Sequence, residues 1–187
     1  MNVIPYGKHN ITDEDIRAVV DVLKSDFLTQ GPKVKEFEDA FAEYIGCKYA
    51  IAVANGTAAL HLCTLALDLK DGGKVITTPI TFVASANSVK YTGGDVVFAD
   101  IDAETYLLDI NHVRKLLAES PKGTYKGIIP VDFAGRAVNM EEYKKLATSN
   151  LKLGIISGGQ LGKMLIQEAS KWDITTYVLD QNDNCPA

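Results

Sequence analysis

Four short stretches of the chain combine residue types at spacings that can do chemistry. In Asn55-Gly56-Thr57-Ala58-Ala59, small residues and a hydroxyl sit where an apolar run gives way to a helical pattern. Small residues let a phosphate approach the backbone. The first N–H groups of a helix have no intrahelical acceptor and point at such a group. Gly56, Thr57 and Ala58 are therefore candidates to hold a phosphate-bearing ligand, although a plain structural turn has the same pattern. In Thr77-Thr78-Pro79-Ile80-Thr81-Phe82-Val83, Phe82 can stack on a flat ring or close a core at the start of a helix. Asp132-Phe133-Ala134-Gly135-Arg136 is a third loop after an apolar run, and its Arg136 can contact a substrate phosphate or face solvent. Open α/β sheets bind ligands outside the carboxyl ends of their strands, so three such loops on one edge make a candidate site.

The fourth stretch, Ser157-Gly158-Gly159-Gln160-Leu161-Gly162, would be a G-x-G-x-x-G loop if Ser157 were glycine. Gly158, Gly159, Gln160 and Leu161 can cradle a phosphate, and Asp180 ends the next apolar run, where a ribose-binding acid often stands. A structural turn explains the pattern equally well. His9, His61 and His112 have no metal-ligand spacing, so no metal site is expected. Asp100 and Asp102 flank Ile101 and read as a solvated strand exit.

Composition narrows the class. The 187 residues carry a formal charge of −5 with lysines and arginines scattered, which argues against a nucleic-acid binder. Cys47, Cys63 and Cys185 form no CxxC pair and are odd in number, so a reducing, cytoplasmic setting is expected rather than a disulfide framework. Met1 to His9 lacks a signal-peptide core, and no apolar run approaches the ~20 residues that span a bilayer.

The elements that must position these loops follow from periodicity. Thr12 with Asp15 predicts a capping box ahead of Ile16, Val19, Val20 and Leu23 at helical spacing. Gly31-Pro32 separates that helix from another through Val34, Phe37, Phe41 and Ile45, which Gly46 ends. Strands are then expected at Tyr49–Ala54, Lys74–Thr78, Val96–Ala99, Gly127–Val131, Leu153–Ile156 and Tyr177–Leu179. Helices are expected at Thr57–Leu67, Phe82–Tyr91, Asn111–Glu119, Met140–Ala147 (capped by Asn139) and Lys163–Lys171. This alternation predicts an α/β fold with a mostly parallel sheet.

The order of motifs Pro5-Tyr6-Gly7, Leu28-Thr29-Gln30-Gly31-Pro32, Asn55-Gly56-Thr57-Ala58-Ala59-Leu60-His61, Thr81-Phe82-Val83-Ala84 and Asp132-Phe133-Ala134-Gly135 resembles the DegT/DnrJ/EryC1/StrS nucleotide-sugar aminotransferases. Within that group it looks most like the enzymes of the pseudaminic acid route that aminate a UDP-linked 4-keto-6-deoxy-hexosamine, the UDP-4-amino-4,6-dideoxy-N-acetyl-beta-L-altrosamine transaminases. The resemblance, over about Val3 to Thr148, implies part of a type I aminotransferase large domain and pyridoxal 5'-phosphate as cofactor. It further implies glutamate as amino donor, a nucleotide-sugar substrate and a homodimer. Carried over by position, Gly56, Thr57 and Ala58 would hold the cofactor phosphate and Phe82 would stack on its ring. The same chemistry requires a lysine to attach the cofactor and an acid to keep its ring nitrogen protonated. The acid would follow the strand after Met140–Ala147, where this chain has Ser157-Gly158-Gly159, and no stretch resembles the lysine loop.

From Leu151 to Ala187 the chain instead resembles the start of N5-carboxyaminoimidazole ribonucleotide synthase, an ATP-grasp ligase of purine synthesis. Gly154-Ile155-Ile156-Ser157-Gly158-Gly159-Gln160-Leu161-Gly162-Lys163-Met164 and Tyr177-Val178-Leu179-Asp180 carry that likeness. Two divisions are therefore expected: 1–150, a truncated aminotransferase large domain, and 151–187, a truncated pre-ATP-grasp segment that opens a Rossmann-like βαβ unit. A catalytically incomplete join of the two is the first functional expectation. A non-catalytic α/β module that binds phosphate-bearing ligands through its glycine turns is the alternative. Leu153–Ile156 is expected to join the sheet of the first division, because an unpaired edge is costly.

Overall fold

The computed structural model of the protein describes residues 9–46, 48–69, 72–146, 153–155 and 176–178. The chain divides into two compact units, Met1–Phe37 and Glu38–Ala187.

Helix α1 (Asp13–Leu23) opens on the expected capping box. The Asp15 N–H donates to Thr12 Oγ1 at 3.3 Å and the Thr12 N–H donates to Asp15 Oδ2 at 2.7 Å. Ile16, Val19, Val20 and Leu23 share one face as their spacing requires, yet all four are exposed. At Gly31 a side chain would collide with the preceding turn, since an added Cβ would lie 2.8 Å from Phe27 Cβ. Pro32 then starts α2 (Pro32–Ile45), in the first helical position where its missing N–H costs nothing. Gly46, at φ +84°, ends α2 with its N–H on Ala42 O at 2.9 Å.

The second unit is built on a parallel sheet of order β2-β1-β3, with β1 at Lys74–Thr77, β2 at Asp95–Phe98 and β3 at Tyr125–Ile129. Thr77 pairs with Phe98 on one side and Ile129 on the other. Period-2 alternation sends neighbouring side chains to opposite faces. Val75 and Ile129 pack with Leu67, Leu69 and Val89. Ile76 and Ile128 pack with Leu108, Val113, Val138, Met140 and Tyr143. Helices α3 (Gly56–Ala66) and α4 (Ala84–Tyr91) supply the first side; α5 (Ile110–Ala118) and α6 (Met140–Leu146) supply the second. Burying each such aliphatic side chain stabilises the fold by about 1.5–3 kcal/mol. Polar links register the layers: Thr64 Oγ1 donates to Ser88 O at 2.9 Å between α3 and α4. Tyr143 Oη donates to Leu108 O at 2.6 Å from α6.

Several expectations are corrected. Tyr49–Ala54 is not a strand, and Tyr49 and Ile51 are exposed. Helix α4 begins at Ala84 rather than Phe82, because Pro79-Ile80-Thr81 holds the chain in a turn first. Asn139 precedes α6, with its backbone O accepting the Glu142 N–H at 3.1 Å and its side-chain amide donating to Glu142 Oε1 at 3.2 Å. Strand β4 (Leu153–Ile155) lies beside β3 with Cα atoms within 8 Å, but its ladder is parallel to β5 (Thr176–Val178) in a separate two-stranded sheet. The helix expected at 163–171 lies outside the described residues.

Tyr143 yields a pH prediction. Burial, chiefly, pushes its phenol well above the ordinary tyrosine value of 10.0, with Asp109 and Glu142 adding to the rise. A raised folded-state value means that this contribution is intact below about pH 10 and is lost as the pH climbs beyond it. Tyr143→Phe is expected to lose about 1 kcal/mol at neutral pH, because Leu108 O loses its donor. It should also flatten the alkaline limb of the stability profile. Urea melts from pH 7 to 11 that fall in parallel for both proteins would refute the assignment.

Candidate active site

Because β1 and β3 are parallel neighbours, the loops leaving their carboxyl ends share one edge of the sheet. Thr77 ties the two exits: its buried hydroxyl donates to Ile129 O at 2.9 Å. Phe82 stands in the β1 exit loop and is 73% exposed, so it serves no core and its side chain is accessible to a ligand. Just behind it, Thr81 Oγ1 and Ser85 Oγ lie 3.2 Å apart.

Gly56, Thr57 and Ala58 form the first turn of α3, which packs on the helix that Phe82's loop leads into. Asn55 is the N-cap, and its Oδ1 accepts the Ala58 N–H at 2.9 Å. The Ala59 N–H goes to Asn55 O at 3.2 Å. The capping side chain thus uses the Ala58 donor, which leaves the N–H groups of Gly56 and Thr57 and the Thr57 hydroxyl without acceptors among the described residues.

The β3 exit is a tight hairpin. Phe133 and Arg136 form an antiparallel bridge, the Arg136 N–H reaching Phe133 O at 3.0 Å. Between them Ala134 and Gly135 have φ of +51° and +81°, the positive pair of a type I′ turn. Asp132 stands at its base. One carboxylate oxygen, Oδ1, accepts the Val138 N–H at 2.8 Å; the other, Oδ2, is buried and has no hydrogen-bond partner among the described residues. By residue type Arg136 is the more prominent group of this loop, whereas the structure draws attention to Asp132. The available signal was an acid directly at the end of a buried strand.

The remaining candidates are structural. Arg136 is exposed and donates to Glu104 O at 3.3 Å, holding the β2 exit loop to the hairpin. Asp102 organises that exit by accepting the Thr105 hydroxyl at 2.7 Å and the N–H groups of Thr105 and Glu104. These bonds, the Thr105 hydroxyl first, hold its carboxyl below the ordinary value. Asp100 is exposed, and its N–H donates to His112 Nδ1 at 2.9 Å. His61 meets Tyr91 edge-on at 5.6 Å between centroids. A cavity of about 230 Å³ beside α5 and α6 is rimmed by Asp102, Asp109 and Glu142, which disfavours a phosphate there. Among the described residues no cluster is placed to hold a metal, and no helix is long and apolar enough to cross a membrane. Gly158, Gly159, Gln160, Leu161 and Asp180 lie outside the described residues.

A parallel sheet with helices on both faces and its strand exits along one edge is an α/β fold. The chain belongs to the DegT/DnrJ/EryC1/StrS aminotransferase family, whose profile matches residues 9–157. Residues 151–187 also match the ribonucleotide synthetase preATP-grasp domain, so the two matches overlap. The spore coat polysaccharide biosynthesis protein SpsC of Bacillus subtilis is 36% identical over 174 residues, 93% of this chain and 41% of that protein. PseC of Helicobacter pylori, an aminotransferase involved in the biosynthesis of pseudoaminic acid, is 34% identical with a TM-score of 0.70, covering 81% of this chain and 40% of that one. The PLP-form of the putative sugar aminotransferase Spr1654 from Streptococcus pneumoniae has a TM-score of 0.72 at 27% identity, covering 81% and 42%. The chain spans 34–41% of the length of the curated relatives it matches.

Ala134 supplies a test of the hairpin. A residue with a Cβ is strained at this φ, so Ala134→Gly is expected to stabilise the protein by about 0.5–1 kcal/mol. A chemical-denaturation midpoint that stays put or falls would show that the turn is not held in this form.

Proposed function

We propose that this chain is the cofactor-binding portion of a pyridoxal-phosphate-dependent nucleotide-sugar aminotransferase. The observation that carries this reading is the shared strand edge: the exits of the parallel neighbours β1 and β3 carry, respectively, an exposed aromatic side chain, Phe82, and a buried carboxylate oxygen of Asp132 that has no hydrogen-bond partner among the described residues. Both lie in a chain of the sugar-aminotransferase family. The residues present fit the cofactor. Gly56 and Thr57 N–H groups with the Thr57 hydroxyl would take the phosphate at the helix N-terminus, where the dipole favours an anion. Ala58 would contribute its small size rather than its N–H. Phe82 would cover one face of the ring. When bound, the cofactor supplies an electron sink for the carbon that exchanges its amino group.

The finer reading is amination of a UDP-linked 4-keto-6-deoxy-hexosamine with glutamate as donor, the altrosamine transaminase reaction, in a cytoplasmic homodimer. Likeness to the Helicobacter pylori protein, an aminotransferase involved in the biosynthesis of pseudoaminic acid, is in keeping with this reading. These 187 residues alone are proposed not to turn over, since the strand after α6 leads into Ser157-Gly158-Gly159 without a carboxylate and no stretch resembles a cofactor lysine loop. The two divisions, 1–150 and 151–187, are proposed as a join of an aminotransferase segment to a pre-ATP-grasp segment; the two overlapping matches support it. The alignment with SpsC runs beyond this boundary, so an independent genomic read across Thr148–Lys152 is the direct check.

The purified chain should bind pyridoxal phosphate in equilibrium dialysis. Thr57→Glu, which sets a carboxylate against the phosphate, should weaken binding about tenfold or more. Mixed with glutamate and a UDP-4-keto sugar it should give no amino sugar above background. Absence of binding would sink the cofactor reading. Turnover, with one lysine labelled specifically by borohydride, would sink the proposed incompleteness.

A further inference from the structure

Resting on the cofactor reading above, we infer that Asp132 is the residue of this chain that accepts a hydrogen bond from a donor on the cofactor's pyridine ring. A carboxylate oxygen that is buried and unpaired is costly, because desolvation is not repaid by a donor. Native proteins seldom keep such a group without a reason. The neighbouring cations do not meet it: Arg136 of the same hairpin donates to Glu104 O, and Arg114 pairs with Glu142 at 3.1 Å. Its sister oxygen is fixed by the Val138 N–H, so the carboxyl group cannot rotate freely to reach solvent. The tight hairpin that follows, with its two positive-φ residues, begins at the next residue and fixes the backbone beside Asp132.

The chemistry selects the ligand group. A carboxylate oxygen only accepts, so its partner must donate. The phosphate of the cofactor accepts as well and is repelled by a carboxylate, which sends it to the helix N-terminus of α3 instead. The ring carries the donors, a protonated nitrogen and a 3-hydroxyl, and Phe82 at the exit of the adjacent strand β1 offers the stacking surface for that same ring. Asp132 therefore orients the ring, whereas Thr57 anchors the phosphate. It is a positioning residue of an edge whose following strand leads to no acid in this chain.

The probe is 4′-deoxypyridoxine 5′-phosphate, which retains the ring donors and the phosphate but has no reactive carbon to attach to lysines. Its affinity and that of inorganic phosphate are measured for the wild type and for Asp132→Asn, which keeps an acceptor for Val138 and replaces the free oxygen with a donor. The probe should bind the variant about tenfold or more weakly, the scale of a charge-assisted hydrogen bond. Inorganic phosphate should bind equally well or better, since a nearby negative charge has gone. The ligand-free variant should melt at or above the wild-type midpoint, the opposite of a purely structural carboxylate. If the donor is the ring nitrogen, a nitrogen-15-labelled probe bound to the wild type stays protonated at pH values where the free probe is neutral. If it is the 3-hydroxyl, the nitrogen signal follows the free probe while the loss of affinity persists. Unchanged probe affinity in the variant, or equal weakening of probe and phosphate, overturns the inference but leaves the cofactor reading standing. Failure of the wild type to bind the probe at all overturns both.

Discussion

Parallel pairing of β1 with both β2 and β3 is the constraint from which the rest of the second unit follows. Parallel neighbours cannot be joined by a hairpin; each return requires a crossover, here α4 and then α5. Crossovers cover the faces of the sheet, which is why β1 carries apolar side chains on both sides, Val75 toward one helical layer and Ile76 toward the other. The same pairing sends every strand exit to one edge, and that edge is where the candidate site lies.

Buried polar groups then show where structure ends and function begins. Thr64, Thr77 and Tyr143 each use a hydroxyl to satisfy a backbone carbonyl of a neighbouring element, so they set distances between layers. Asp102 performs the same service for its own loop and takes the carboxylate out of contention as a catalytic group. Asp132 differs because the carboxylate oxygen that the fold leaves without a partner among the described residues is buried. A local rule broken at the edge that carries the strand exits is the pattern expected of a functional site.

Strand β4 sits within both family matches, and its geometry is correspondingly double. It lies beside β3, as a continuation of the aminotransferase sheet would, while its hydrogen-bonded partner is β5 of the second match. One short strand thereby borders two sheets. Its three residues are apolar or glycine, a composition compatible with either neighbour.

What the sequence determined by itself was whatever rests on contacts close along the chain. The capping box at Thr12 and Asp15, the stop at Gly46, the turn at Asn55-Gly56 into a helix and the alternation that makes the sheet parallel are local, and each was readable from residue spacing. The motifs around Thr57, Phe82 and Asp132 were legible as loops for the same reason. Tertiary structure alone decided matters that depend on distant partners. Tyr49–Ala54 has the composition of a buried strand but leaves Tyr49 and Ile51 exposed, and the apolar stripe of α1 is exposed although its spacing is that of a packed helix. That Asn55 consumes the Ala58 donor, that Arg136 turns away to Glu104, and that Asp132 is left with a buried oxygen unpaired all depend on where side chains from separate segments come to rest. Hydrogen-bond satisfaction is a property of the assembled neighbourhood, and periodicity along the chain carries no record of it.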